Sequence, residues 1–143
     1  MKKNLFIIFV AVFATMINLN ATNPINVKCC TTCMFDKNGN EIYSVNELSI
    51  FTLDVEYMQF TKEIQGCKKV KYVVDHGNID EDVDLGFGID CLDIQLTLTD
   101  PNTNQKHKVL MREVYDKLRE EYRRYITYYF DNGTRIVYTD VKL

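Results

Sequence analysis

The sequence predicts an α+β domain in which one amphipathic helix packs on an antiparallel β-sheet and disulfides staple the fold. Several segments alternate apolar and polar side chains with a period of two, which is typical of strands with one buried face. Residues 110–124 instead space apolar side chains three and four positions apart, which is typical of a helix. Asn132-Gly133 then predicts a tight hairpin. A β-sandwich with a short helix is the alternative.

The period-two segments give the strands of the predicted sheet. The longest alternation lies in residues 48–60, and shorter ones follow in residues 68–75 and 92–98. Residues 105–111 are read as a returning strand, and the terminal hairpin pairs two further strands at residues 125–130 and 135–141. Turns rich in Gly, Pro, Asn or Asp are predicted at 36–39, 65–66, 100–104 and 131–133.

The helix prediction depends on a stripe of apolar and aromatic side chains. The stripe consists of Leu110, Val114, Tyr115, Leu118, Tyr122 and Tyr125. Charged residues fill the opposite face, with acids and bases four positions apart, and each such pair stabilises a helix by about 0.2–0.5 kcal/mol. Because these pairs are weak, burial of the stripe against the sheet is expected to hold the helix in place.

Residues 1–21 have the pattern of a secretory signal peptide. Lys2 and Lys3 precede an uncharged apolar run at residues 5–17, which is too short to span a membrane. Cleavage after Ala21 would leave residues 22–143 as a single secreted or periplasmic α+β domain. Retention of the segment as an uncleaved anchor is the less favoured alternative.

The charge balance disfavours two classes of partner. The net charge of −3 becomes −5 when Lys2 and Lys3 are removed with the signal peptide. An acidic domain is poorly suited to sequence-independent binding of nucleic acid, which needs Lys and Arg to neutralise phosphate, or to an anionic membrane surface. The sequence also lacks a glycine-rich phosphate loop and a G-x-S-x-G motif, so no cofactor and no catalytic residue is predicted.

The five cysteines predict disulfides, because an exported protein folds in an oxidising compartment. They are Cys29, Cys30, Cys33, Cys67 and Cys91. Four of the five are expected to form two bridges, most economically from Cys29 and Cys30 to Cys67 and Cys91, with the connectivity open. The remaining thiol is a candidate for a disulfide-linked dimer. A redox role for the Cys30-x-x-Cys33 motif is less favoured, since a turn follows where a helix would be needed.

An acidic segment at residues 76–88 is a candidate calcium-binding loop. Asp80, Asp82 and Asp84 alternate, so their oxygens could project to one side of an extended loop. The glycine of a calcium loop is displaced and the closing glutamate is missing. The segment is therefore interpreted as a solvated acidic loop, and no metal site is predicted.

The two histidines supply the alternative function. A small secreted hydrolase or nuclease could use His76 and His107 for acid–base catalysis. The acidic net charge is unfavourable for a nucleic-acid substrate. Catalysis is therefore the less favoured hypothesis.

Tyrosines near the end of the chain support the leading hypothesis, a small secreted protein that acts by contact with an unidentified protein partner. Tyr128 and Tyr129 must point to opposite faces of a strand, so some tyrosines of the hairpin should be exposed. Tyr128, Tyr129 and Tyr138 are the candidate interface residues, because tyrosine is enriched in protein interfaces. Asn132 at the hairpin tip also fits an N-glycosylation acceptor if the source is a eukaryote.

Overall fold

Eight antiparallel β-strands form a closed barrel in the computed structural model, which describes residues 24–81 and 89–140. Each strand pairs with its neighbours in sequence, and the last strand pairs with the first, which closes the sheet. The strands are β1 (Ile25–Phe35), β2 (Glu41–Asp54), β3 (Gln59–Ile64), β4 (Val70–Asp80), β5 (Ile89–Thr99), β6 (Lys106–Asp116), β7 (Glu121–Tyr129) and β8 (Arg135–Thr139).

The connections alternate between the two ends of the barrel, because every strand runs opposite to the one before it. The end that carries the turns at 36–40, 65–69, 100–105 and 130–134 is called the upper end. The lower end carries the turns at 55–58 and 117–120. The predicted signal peptide at residues 1–21 lies outside the described residues, as does most of the connection between β4 and β5.

A single apolar core occupies most of the barrel interior. The predicted alternation of Leu92, Ile94, Leu96 and Leu98 is confirmed, since all four are buried on the inner face of β5. Aromatic rings fill the centre of the barrel, and they belong to Phe51, Phe60, Tyr72, Tyr128 and Tyr138. An eight-stranded barrel is just wide enough for side chains to fill its interior, which is the arrangement observed here.

The predicted helix is wrong. The described residues contain no helix, and residues 110–124 form the end of β6, the turn at 117–120 and the start of β7. Val109 and Met111 explain the difference, because they are buried on the inner face of β6 while Leu110 and Val114 lie on its outer face. Apolar side chains on both faces of a strand imitate the spacing of a helix. No helix in the described part of the chain is long and apolar enough to cross a membrane.

The α+β fold class is therefore wrong, and the β-sandwich alternative also differs from the structure, since one continuous sheet closes on itself instead of two sheets stacking. Two strand boundaries were misplaced as well. The segment at 48–60 contains the end of β2, the turn at 55–58 and the start of β3. The segment at 76–88 begins as β4, which continues to Asp80.

The predicted disulfides are also wrong, because all five cysteines are free. Cys29 packs in the barrel core, whereas Cys91 lies on the outer face of β5 and Cys67 is exposed in a turn at the upper end. A bridge from Cys29 to Cys91 would have to pass through the barrel wall. Side chains that point in opposite directions cannot be joined without moving the backbone.

All four turns predicted from local residue types are confirmed, since they lie in the connections at 36–40, 65–69, 100–105 and 130–134 between consecutive strands. In the turn at 36–40, the carboxylate of Asp36 accepts hydrogen bonds from the backbone N–H groups of Asn38 and Asn40 at 2.8 and 2.9 Å. In the turn at 130–134, the Asn132 side chain accepts the backbone N–H of Thr134 at 3.0 Å. Because these hydrogen bonds join residues only a few positions apart, the residue types of such turns can be recognised in the sequence.

We expect Gly133→Ala to destabilise the protein more than Gly39→Ala. Both glycines have a positive φ, +87° and +84°, so a side chain at either position is strained by about 1–2 kcal/mol. Only at Gly133 would the added Cβ also lie 2.9 Å from the Cβ of Lys37. Urea unfolding of the two variants measures the difference, and equal losses of stability would show that this contact is relieved without cost.

Candidate functional site

The first half of β2 projects past the strand beside it. Strand β3 pairs with β2 only between Ser49 and Asp54. The last backbone contact on that side is a hydrogen bond from the Gln65 N–H to the Leu48 carbonyl at 2.8 Å. Residues 41–47 pair with β1 on one side and, among the residues that the structure describes, have no strand on the other. We call residues 41–48 the β2 edge.

Large apolar side chains on the β2 edge are open to solvent. Ile42, Tyr43, Val45 and Leu48 are 55, 45, 41 and 44% exposed. Ile42 and Leu48 lie on the outer face of the sheet, whereas Tyr43 and Val45 share the inner face with their cross-strand partners Met34 and Thr32. A strand edge with exposed apolar side chains is a template for pairing with another chain.

The direction of the Leu48 hydrogen bond indicates which backbone groups lie on the open side of β2. In a strand, the N–H and C=O groups of every second residue point to the same side. Because the Leu48 carbonyl points toward β3, the N–H groups of Asn46, Ser44 and Ile42 point toward the open side. The β2 edge contains no Lys, Arg or Pro. Its charged residues are Glu41 and Glu47, and its ladder to β1 has register shifts near both ends of the segment.

Two carboxylates give the β2 edge a negative charge. Glu41 accepts a hydrogen bond from the hydroxyl of Ser44 at 2.9 Å, and Glu47 accepts one from the hydroxyl of Thr32 at 3.3 Å. Glu41 and Glu47 flank the exposed side chains of Tyr43 and Val45. A partner strand with basic residues would match this charge pattern.

The three candidate interface tyrosines do not lie together. Tyr128 and Tyr138 point into the barrel core and are 2 and 3% exposed, while Tyr129 is 43% exposed. The prediction that Tyr128 and Tyr129 point to opposite faces is confirmed. Burial is the main cause that raises the pKa of Tyr138, with Tyr43 and Glu47 adding to it. Tyr129 lines a shallow outer groove of about 430 Å³ together with His76 and Lys108.

The structure does not bring the two histidines together. His76 is exposed on the outer face of the barrel, where its cross-strand partner is Thr97. His107 lies on the inner face opposite the buried Leu98, and its ring centre is 5.4 Å from that of Tyr72. The barrel wall therefore separates the two imidazoles, and the described geometry gives them no shared substrate position.

The calcium candidates are only partly described. Asp80 is the last residue of β4, whereas Asp82 and Asp84 lie outside the described residues. In the ranges 24–81 and 89–140, no group of three or more His, Cys, Asp or Glu residues could hold a metal ion. Asn132, the glycosylation candidate, is exposed in the turn at the upper end.

Sequence reasoning missed two charged pairs that join neighbouring strands. Arg112 binds Asp93 through two hydrogen bonds of 2.7 and 2.8 Å on the outer face of β5 and β6. Arg124 donates a 2.9 Å hydrogen bond to Glu113, whose side chain is fully buried in the barrel. The sequence analysis paired acids and bases four positions apart because it assumed a helix, and only the strand register reveals the true partners.

Lys62 is a further residue that the sequence did not single out. It lies on the inner face of β3, where its cross-strand partners are Phe51 and Val70. Its ammonium nitrogen is 4.7 Å from the ring centre of Tyr128.

Comparisons of the chain with protein-family models, with curated proteins and with solved structures give no match.

Proposed function

We propose that the protein is exported and acts by binding another protein, and that the β2 edge is its binding surface. The observation that carries the proposal is that one side of residues 41–47 has no strand beside it in the described part of the chain, with large apolar side chains exposed on both faces of the strand. An extended segment of the partner would add to the sheet as a strand, a common mode of peptide recognition. Backbone hydrogen bonds would supply affinity, and alternate side chains would supply selectivity.

The β2 edge also indicates what the partner segment looks like. Ile42 and Leu48 on the outer face and Tyr43 and Val45 on the inner face favour apolar side chains at alternating positions of the partner. The carboxylates of Glu41 and Glu47 favour Lys or Arg near its ends. Charges of this kind mainly set the association rate and the choice of partner.

The Ser44→Pro variant tests the surface. Proline removes the N–H of residue 44, which points toward the open side, and leaves the ladder to β1 intact. Selection of extended peptides from a random display library on the immobilised protein should enrich sequences that alternate apolar residues and carry basic ends. We expect these peptides to bind Ser44→Pro roughly tenfold more weakly, since a lost hydrogen bond costs about 0.5–1.5 kcal/mol and the ring obstructs the edge.

The matched control is Ser44→Ala, which keeps the backbone N–H and removes only the hydroxyl that donates to Glu41. This variant should bind the selected peptides as the wild type does. Equal affinity of Ser44→Pro for the selected peptides would contradict strand addition at this edge. Sedimentation of the free protein shows whether a second copy of the chain occupies the same edge.

A further inference from the structure

A row of five paired residues crosses the outer wall of the barrel from β4 to β8. In strand order the row consists of His76, Thr97, Lys108, Tyr129 and Arg135. Neighbouring strands lie about 4.8 Å apart, so Lys108 and Arg135 are separated by roughly 10 Å with Tyr129 between them. The strand register therefore places two cations on either side of an aromatic ring that is 43% exposed.

Two shallow grooves on this wall meet along the row. The first has a volume of about 430 Å³ and lies between His76 and Tyr129, and the second has a volume of about 350 Å³ and lies between Tyr129 and Arg135. Because Leu110 and Tyr129 line both grooves, the two form one open surface, about 19 Å long across the strands from β4 to β8. We call this surface the outer trough. Besides the row, it includes the paired residues Asn78, Gln95, Leu110, Thr127 and Val137.

The outer trough is basic although the chain as a whole has a net charge of −3. The described residues that line it include Lys108, Arg112 and Arg135 and no Asp or Glu. The charge of Arg112 is already balanced by its two hydrogen bonds to Asp93. No acidic oxygen of the described residues lies within 4.0 Å of the charged groups of Lys108 or Arg135. These two cations therefore favour an anionic ligand.

The remaining side chains of the outer trough bind polar groups and ring faces. Asn78 and Gln95 are direct cross-strand partners and are exposed, and their amides both donate and accept hydrogen bonds. The guanidinium carbon of Arg135 lies 4.9 Å from the ring centre of Phe35, which holds this cation in place beside Tyr129. The surface thus offers two fixed amides, an aromatic face and two cations.

The backbone beneath the outer trough gives an extended peptide nothing to pair with. Strands β5, β6 and β7 pair with neighbours on both sides there, so their N–H and C=O groups are already used in the ladders. Peptide addition therefore belongs at the β2 edge. Sugar hydroxyls, in contrast, both donate and accept hydrogen bonds, as the amides of Asn78 and Gln95 do. The apolar face of a sugar ring can pack on the face of Tyr129.

We propose that the outer trough binds an oligosaccharide that carries carboxylate groups. The carboxylates pair with Lys108 and Arg135, a sugar ring between them packs on Tyr129, and the hydroxyl groups bind Asn78 and Gln95. The site lies outside the barrel, where the two grooves provide the room for such a chain. It is separate from the β2 edge, since residues 41–48 line neither groove.

Calorimetric titration with acidic oligosaccharides and their methyl esters tests the proposal. Tetragalacturonate carries a carboxylate on every ring and a hyaluronan hexasaccharide carries one on every second ring, so the pair covers two charge spacings. We expect at least one of them to bind and its methyl ester to bind roughly tenfold more weakly, because the ester removes only the charge. The affinity of the acid should also fall as the salt concentration rises.

Variants of exposed residues locate the site without disturbing the core. We expect Lys108→Met and Tyr129→Ala each to weaken binding of the acidic oligosaccharide roughly three- to tenfold, with unchanged circular dichroism spectra. Lys106→Met is the matched control, because Lys106 lies on the same face of β6, lines neither groove and is already paired with Asp75 at 3.0 Å. Lys106→Met and Ser44→Pro should bind the oligosaccharide as the wild type does.

Four results would overturn the proposal. They are no binding of either acidic oligosaccharide at millimolar concentration, equal affinity for the methyl esters, unchanged affinity in both Lys108→Met and Tyr129→Ala, and an equal loss of affinity in Lys106→Met. An extended peptide of alternating Glu and Tyr is titrated in parallel. Tighter binding of this peptide than of the oligosaccharides, lost in Lys108→Met, would assign the outer trough to an acidic protein partner instead.

Discussion

Phe51→Ala is expected to lower the free energy of unfolding by about 3–5 kcal/mol. Phe51 is fully buried on β2, and its ring centre lies 4.8 Å from that of Tyr138 and 6.0 Å from that of Phe60. The substitution removes apolar area, three aromatic contacts, including one with Tyr128, and the packing around them. A closed barrel resists collapse around the resulting cavity, because each strand is held by two neighbours.

Urea unfolding followed by circular dichroism measures this loss. Tyr57→Ala is the matched control, since Tyr57 is an exposed aromatic residue in the turn after β2 and its removal should change stability by about 0.5 kcal/mol or less. A loss below about 1 kcal/mol for Phe51→Ala would mean that the barrel centre is loosely packed.

Arg124→Met is expected to cost about 3–5 kcal/mol near neutral pH, because it leaves a buried carboxylate without its partner. The Nε of Arg124 lies 2.9 Å from Oε2 of Glu113, and the other carboxylate oxygen of Glu113 has no partner among the described residues. The backbone N–H of Arg124, which donates to the Asp140 side chain at 3.0 Å, is unaffected by the change. The loss of stability in this variant therefore measures the contribution of the ion pair between Arg124 and Glu113.

The cost of Arg124→Met should depend on pH. Burial raises the pKa of Glu113 above its ordinary value of 4.5, although Arg124 opposes the shift. Because the neutral acid is favoured in the fold, the stability that it contributes is present below 4.5 and is lost as the pH rises through the folded-state pKa. Removing Arg124 raises that pKa further. The difference in unfolding free energy between the variant and the wild type should therefore widen from about pH 4 to pH 8.

The double variant Arg124→Met with Glu113→Gln is the control. The amide of glutamine carries no charge, so the pH dependence of the gap should vanish and part of the lost stability should return. Urea unfolding at a series of pH values measures both effects. A loss of the same size at every pH in the single variant would show that Arg124 contributes through packing alone.

Elements with local signals could be predicted from the sequence. The alternation at residues 92–98 and the turn residues at 36–39 and 131–133 are complete within a few positions, so both were found. The false helix arose because Leu110 and Val114 on the outer face of β6 are spaced as a helix would space them. Closure of the barrel left no signal at all, since it depends on pairing between β1 and β8.

The candidate site could not be predicted from local sequence patterns, because it depends on the relative lengths and the register of paired strands. The β2 edge exists because β3 is much shorter than β2, and residues 59–64 were not recognised as a separate strand. Lys62 could be placed inside the barrel only once its register opposite Phe51 was known. The expectation of exposed tyrosines was met only at Tyr129, because two of the three candidates fill the core.

The order of the strands has a consequence for how the chain folds. Strand pairing joins neighbours in sequence everywhere except at the seam between β1 and β8, where Thr31 meets Thr139 and Phe35 meets Arg135. Hairpins of adjacent strands form with little loss of chain entropy, whereas this seam must bring together segments about a hundred residues apart. We therefore expect pairing at this seam to limit the rate of folding, so that substitutions within it alter the folding rate, measured by stopped-flow refolding, more than those in the other ladders.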